Sequence, residues 1–141
     1  MSGNLYAFAV VFAAISLHAC SSPTAPTASL TDRIAGSWTL VAQQPAGEAE
    51  SAPPAGSTFG FQIMDGRASV IADCNRCNGA AVVGDNSVTL GPALACTRAF
   101  CSTSAPFDTK FVQILGTESV ANVDGSLLTL RSERGILRFR R

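Results

Sequence analysis

Histidine and tyrosine are almost absent from this 141-residue chain, which has one of each. Both of them, His18 and Tyr6, lie in the first 20 residues, which have the pattern of an export signal. A domain that begins after this signal therefore lacks the usual general base, the Ser-His and Cys-His nucleophile pairs, and every histidine metal ligand. We accordingly expect a protein that is not an enzyme, with no catalytic residue, no metal site and no cofactor.

Charged residues are also few, and the two signs balance. The chain has ten acidic and ten basic side chains and a formal net charge of zero. A nucleic-acid-binding surface would need a strongly basic face, and the arginines of the C-terminal stretch "LRFRR" are more typical of a solvated strand end. We therefore expect no nucleic acid partner.

The longest apolar run, Leu5 to Leu17, is shorter than the about 20 residues that span a membrane as a helix. A short apolar core followed by a small residue is typical of a secretory signal that is removed. The ending "LHAC" resembles the lipobox of bacterial lipoproteins, which predicts a signal peptide over residues 1–19 and a lipid such as palmitate on Cys20. The alternatives are an ordinary signal peptide and an uncleaved anchor. By resemblance to enterobacterial sorting patterns, Ser21 rather than aspartate after the cysteine favours the outer membrane, with the domain facing the periplasm or the cell surface.

Residues 20–33 include the stretch "SSPTAPTAS", which is small, polar and proline-bearing. This composition predicts a flexible tether. The domain then covers residues 34–141, which is long enough for one hydrophobic core. We expect a monomer that contacts the membrane through Cys20.

Alternation of apolar and polar residues dominates the domain. The stretches "GSWTLVAQ", "TFGFQIM", "RASVIAD", "GAAVVGDNSVTLGP" and "SVANVDGSLLTLRSERGILRFRR" alternate with period two and are separated by turn signals such as Asp65-Gly66 and Asp124-Gly125. Such spacing is typical of an antiparallel meander. We predict a mainly β fold, with a small barrel-like sheet of about eight strands.

One segment has helical rather than β periodicity. Phe107, Phe111 and Leu115 recur on one helical face, and Gly116 follows them. Ser104 is a plausible N-cap, and proline is well tolerated in a first turn. These residues predict one α-helix over Pro106 to Leu115, packed against the sheet.

Four cysteines remain after Cys20, in the stretches "DCNRCNG" and "ACTRAFC", with the spacing Cys-x2-Cys-x18-Cys-x4-Cys. An even number in an exported domain predicts two disulfides. A four-cysteine zinc site and a redox dithiol are the alternatives, disfavoured because the compartment is oxidising and because the asparagines and Gly79 predict a turn rather than a helix N-terminus.

The stretches "GSWTLVA", "DGRASVIADCNRCNGA", "LGPALACTRAFC" and "DGSLLTLRSERGILRF" resemble, in order and spacing, the META domain, or HslJ-like, family of bacterial envelope proteins. The resemblance implies a compact antiparallel β domain with a meandering, barrel-like sheet around one helix. It also implies the nested pairing of Cys74 with Cys101 and Cys77 with Cys96, the runner-up being Cys74 with Cys96 and Cys77 with Cys101. It implies no catalytic residues, and only loose links to heat shock and other stress.

Two positions depart from the pattern of the family. Asp73 stands where the family usually has glycine, which bears on the backbone conformation before the first cysteine. Ala81 stands where an aromatic residue is often seen, which implies a smaller core side chain.

Four charged residues near the cysteines form the only candidate interaction site. They are Asp73, Arg76, Arg98 and Asp108. Arg98 could present its fork of donors to an anionic group or a carboxylate of a partner. The favoured alternative is an ion pair of Arg98 with Asp73 or Asp108.

Two functions follow from these observations. The first is a non-enzymatic envelope lipoprotein whose domain binds an envelope protein or other component, in connection with stress. The alternative is a calycin-like pocket for a small apolar ligand in the mouth of the sheet. An interior filled by Trp38, Phe59, Phe61, Phe111 and Leu128 would speak against this pocket.

Overall fold

The structure is a computed structural model, which describes residues 27–91, 94–102 and 104–141. The signal peptide over residues 1–19, the lipidated Cys20 and the first part of the tether lie outside the described residues. In the described part, no helix is long and apolar enough to cross a membrane.

Two helices and nine strands make up the described part of the chain. Their bounds are α1 Leu30–Ile34, β1 Gly36–Pro45, β2 Phe59–Met64, β3 Arg67–Ala72, β4 Asn75–Val83, β5 Ser87–Leu90, β6 Ala95–Cys96, α2 Phe107–Leu115, β7 Ser119–Asp124, β8 Leu127–Ser132 and β9 Gly135–Arg140.

Eight of the strands close into an antiparallel barrel. Strands β1 to β5 and β7 to β9 each pair with the next one along the chain, and β9 pairs with β1 to complete the ring. The two-residue strand β6 pairs with β4 as an extra strand. The predicted barrel-like meander of about eight strands is therefore confirmed.

The first hairpin shows how local sequence sets the register. Met64 pairs with Arg67, so that Asp65 and Gly66 alone form the turn. Both turn residues have positive φ angles, 52° and 71°. A two-residue hairpin turn needs such angles for its twist to match that of the flanking strands. Because the side chains alternate, Phe59 is then directed into the barrel and Gln62 to solvent.

Large apolar side chains fill the interior. Trp38, Phe59, Phe61, Phe111 and Leu128 are each exposed by at most 3%. The ring of Phe59 packs edge-on against that of Phe111 with 5.3 Å between the centroids. These side chains occupy the space that an apolar ligand would need inside the barrel.

Helix α2 closes one end of the barrel and begins at Phe107, one residue later than predicted. Pro106 takes the N-cap position and makes no side-chain cap hydrogen bond. The prediction of Ser104 as the cap is wrong, because its hydroxyl instead donates to the Asp73 carboxylate at 2.8 Å. The C-terminal end at Gly116 is as predicted.

Helix α1 lies at the other end of the barrel. The Trp38 indole N–H, near the start of β1, donates to the carbonyl of Ile34 at 2.8 Å. Gln43, near the end of β1, donates to the carbonyl of Phe107 in α2. Residues 30–33, assigned to the tether from composition, are thus helical, and Leu30 is buried. A helix of five residues has too few turns for its periodicity to be recognised.

The predicted position of the turn within "DCNRCNG", at the asparagines and Gly79, is wrong. Strand β4 already begins at Asn75, and the turn consists of Asp73 and Cys74, because Ala72 pairs with Asn75. Pairing with β3 overrides the local turn preference of asparagine and glycine. Asp73 has a φ of 55°, a left-handed conformation that glycine adopts most easily and aspartate tolerates. This explains why aspartate can stand where the family usually has glycine.

Candidate functional site

Two disulfides hold residues 94–101, the cysteine segment, against the barrel. The inner disulfide joins Cys77 to Cys96, which face each other in the β4–β6 ladder with 4.0 Å between their Cα atoms. The outer disulfide joins Cys74 in the β3–β4 turn to Cys101. The structure thus has the nested pairing that the family resemblance implied, rather than the crossed one.

The two alternatives for the cysteines do not fit this arrangement. Cys74 and Cys77 bond to distant partners and not to each other, so that they do not form a redox dithiol of the Cys-x-x-Cys type. Asp73, Cys74 and Cys101 bring three potential ligand atoms within 4.8 Å of one another. Both sulfurs are in a disulfide, however, whereas zinc binds thiolates.

Asn75 fixes the path of the cysteine segment. Its side chain, which is 8% exposed, accepts hydrogen bonds through Oδ1 from the Ala99 N–H at 2.8 Å and the Thr97 hydroxyl at 2.9 Å. Its Nδ2 donates to the carbonyl of Ala99 at 3.0 Å. Asn75 is predicted from the sequence to be a turn residue, which does not include this role. The signal available was that the most family-specific blocks include both Asn75 and Thr97.

Arg76 and Asp73 act within the turn rather than in a shared site. The Arg76 guanidinium donates to the main-chain carbonyls of Asp73 at 2.8 Å and Asn75 at 3.1 Å. The Asp73 carboxylate accepts from the Ser104 hydroxyl, which ties the turn to the segment that leads into α2. Both residues therefore stabilise the base of the cysteine segment.

The favoured ion pair of Arg98 with Asp73 or Asp108 is wrong. Among the described residues, the Arg98 side chain is exposed and takes part in neither of the two ion pairs nor in a side-chain hydrogen bond. Each carboxylate has another partner: Asp73 accepts from Ser104, and Asp108 accepts through Oδ1 from the Thr109 N–H at 2.7 Å.

A cleft of about 440 Å³ separates the cysteine segment from α2. One wall is formed by residues 96–98 and the other by α2 residues including Asp108 and Gln113, while Ala72 and Cys77 line it from the barrel. Its volume is within the range of about 300–1,000 Å³ that is usual for ligand sites. Of the four charged residues selected from the sequence, Arg98 and Asp108 line the cleft, whereas Arg76 and Asp73 do not.

Comparison with known families identifies the domain. The family model described as "META domain" matches residues 28–141. The chain belongs to the META domain family. The resemblance recognised in the sequence is therefore confirmed, and the match covers the whole domain. No curated protein matches the chain.

Solved structures of low sequence identity share the fold of this META domain. An NMR structure of a protein from Burkholderia xenovorans is 22% identical, with a TM-score of 0.66 over 90% of this chain and 98% of that one. A lipocalin-like protein from Bacteroides uniformis ATCC 8492 is 17% identical, with a TM-score of 0.54 over 77% of this chain and 98% of that one. Both show the same kind of small barrel.

Proposed function

We propose that the protein is a non-enzymatic binding module of the cell envelope, anchored by a lipid on Cys20, which binds a partner protein in the cleft beside the cysteine segment. The observation that carries this proposal is the environment of the Arg98 side chain. Its guanidinium is exposed in the cleft and has no carboxylate partner in the described part of the chain, although Asp108 lines the same cleft. An arginine placed in this way is suited to bind a carboxylate of a partner.

The rigidity of the cysteine segment supports the same proposal. Two disulfides and the three hydrogen bonds of Asn75 fix a segment that has little regular secondary structure. A loop ordered before binding loses less entropy when a partner docks. Phe100, two residues after Arg98 in the chain, is 86% exposed. Arginine and aromatic side chains are enriched at the energetic centres of protein interfaces.

The position of the cleft fits a tethered module. Helix α1, which follows the tether, contacts β7 and lies beside the start of β1, whereas α2 lies beside the end of β1. A strand of this length, Gly36–Pro45, extends over roughly 30 Å at about 3.3 Å per residue. The cleft is therefore at the end of the barrel opposite the attachment of the tether, where a partner has access.

The chemistry of the cleft favours binding over catalysis. Its charged groups in the described residues are the guanidinium of Arg98 and the carboxylate of Asp108. A guanidinium is not a suitable general base, and the Asp108 carboxylate already accepts through Oδ1 from the Thr109 N–H. The alternative, an apolar ligand inside the barrel, has less support because Trp38 and the phenylalanines occupy that space.

Photo-crosslinking in living cells tests the proposal on the full, membrane-bound chain. A photoreactive residue at Gln113, which is exposed in the cleft, is compared with one at Asp85, which is exposed in the β4–β5 turn at the other end. We expect a product of one defined mass from position 113 and none from position 85. The substitution Arg98→Gln should reduce this product.

Mass spectrometry of the same membranes tests the anchor, since a lipid on Cys20 adds a defined mass to the N-terminal peptide. Cultures with and without heat shock test the link to stress. Equal crosslinking from both positions, under both conditions, would refute the binding role of the cleft.

A further inference from the structure

We infer that the partner binds as an extended peptide segment, which pairs with the free edge of residues 95–98 and places one carboxylate on Arg98. This inference rests on the proposed function and names the chemistry of the partner. The cysteine segment is then an edge strand to which the partner adds a further strand.

The free edge follows from the direction of the backbone hydrogen bonds. The N–H of Thr97 donates to the Arg76 carbonyl at 3.0 Å, and the N–H of Ala99 donates to Oδ1 of Asn75 at 2.8 Å. In an extended segment, successive residues direct their backbone groups to opposite sides. The N–H and C=O groups of Cys96 and Arg98 are therefore directed away from β4.

The backbone of Arg98 has no hydrogen-bond partner within the described residues. An open edge of this kind is a template for pairing with another chain. Residues 95–98 extend over about 13 Å at about 3.3 Å per residue. This length accommodates a partner segment of four or so residues, and the cleft of about 440 Å³ beside it provides the space.

The disulfides explain why this short edge is suitable for binding. A two-residue strand such as β6 would hold its conformation only weakly without support. Here Cys96 is bonded to Cys77 and Cys101 is bonded to Cys74, so that both sides of the exposed stretch are covalently fixed. The edge is thus ordered before the partner arrives.

The charges of the cleft specify a single carboxylate rather than an acidic run. Arg98, which has no carboxylate partner within the described ranges, can form a bidentate pair with one carboxylate. On the opposite wall, Asp108 already has Oδ1 bonded to the Thr109 N–H, and its negative charge would repel further acidic residues. We expect the partner to have one Asp or Glu, flanked by uncharged residues that alternate along a strand.

NMR titration of the full chain in detergent tests the carboxylate. The probes are three capped peptides of the form Thr-Val-X-Val-Thr, in which X is Glu, Gln or Lys. We expect the Glu peptide to shift the amide signals of Cys96 and Arg98 saturably. The Gln peptide should bind about tenfold more weakly, the loss expected for one charge-assisted hydrogen bond, and the Lys peptide should bind least. In Arg98→Gln, the Glu and Gln peptides should bind equally.

N-methylation of the Glu peptide tests the strand pairing. Only every second peptide N–H would face the edge of residues 95–98. Methylation at one set of alternate positions should therefore weaken binding at least tenfold, whereas methylation at the other set should have little effect. Equal tolerance at all positions, or equal loss at all positions, overturns the inference.

The controls separate this inference from the proposed function. Saturable shifts of the same amides by free glutamate, with none from the peptides at millimolar concentration, would show a small-molecule site and overturn the inference. If crosslinking at Gln113 depends on Arg98 while no peptide binds, the binding role stands and the strand pairing is refuted. Absence of that crosslinking refutes the proposed function itself.

Discussion

The substitution Asn75→Ala tests the central structural claim, that one buried amide holds the cysteine segment in place. It removes three hydrogen bonds of 2.8–3.0 Å to nitrogen and oxygen, two accepted by Oδ1 and one donated by Nδ2, and the weaker contacts of Nδ2 with the sulfurs of Cys101 and Cys74. It leaves both disulfides intact. The experiment therefore separates the contribution of the amide from that of the covalent bonds.

The expected loss can be estimated from these contacts. Each hydrogen bond to nitrogen or oxygen contributes a net free energy of about 1 kcal/mol, so that the three together contribute about 3 kcal/mol. Thr97 and Ala99 are exposed, and water can replace part of what their groups lose. We expect the free energy of unfolding to fall by about 2–3 kcal/mol. A domain of this size is stable by about 5–15 kcal/mol, so the variant should still fold.

Denaturant unfolding followed by the fluorescence of Trp38 provides the assay. Trp38 is the only tryptophan in the chain and is 2% exposed in the core. The matched control is Asn78→Ala, three residues along the same strand, where the side chain is exposed and accepts one hydrogen bond from Ser69. The control should cost less than about 0.5 kcal/mol. Asn75→Asp keeps the acceptor but loses the donor, and should fall between the two.

A loss for Asn75→Ala as small as that of the control would refute the reasoning. It would mean that the two disulfides alone determine the position of the cysteine segment. A loss well above about 3 kcal/mol would instead indicate that the amide also supports the barrel core.

Three further predictions concern the barrel and its covalent bonds, each checked by the same unfolding assay. Removing the outer disulfide with Cys74→Ser and Cys101→Ser should cost about 2.5 kcal/mol, since the inner disulfide already shortens the loop to about eight residues, and a cost near zero would contradict this. Gly60→Ala should cost about 2–3 kcal/mol because its Cβ would overlap the carbonyl oxygen of Trp38 on the neighbouring strand, and a neutral result would disprove that close approach. Phe111→Ala should cost about 3–5 kcal/mol because the ring is fully buried, and a loss below about 1 kcal/mol would contradict the packing of α2 into the barrel.

Much of the barrel could be predicted from the sequence because its signals are local. The alternation in "TFGFQIM" places Phe59 and Phe61 on one face, and Asp65-Gly66 sets the turn within four residues. Helix α2 is equally local, since its periodic residues and the Gly116 stop lie in one stretch. Such elements depend little on distant parts of the chain.

The candidate site was less predictable because it depends on contacts between distant segments. Asn75 has the propensity of a turn residue, yet it lies in β4 because Asn75–Ala80 pair with β3. Its hydrogen bonds reach Thr97 and Ala99, more than 20 residues away. The ion pair proposed between Arg98 and Asp73 failed for the same reason, because the Asp73 carboxylate accepts instead from Ser104, 31 residues away.

The sequence by itself determined that this is a small antiparallel β domain with one principal helix, with cysteines suited to an oxidising compartment and without histidine in the domain. These properties follow from composition and short-range periodicity, which act along the chain. Only the tertiary structure decided where the "DCNRCNG" turn lies, that Asn75 holds the cysteine segment, and that Arg98 lines a cleft beside α2 without a carboxylate partner among the described residues. These features depend on which distant groups meet when the barrel closes, and local propensity carries no information about that.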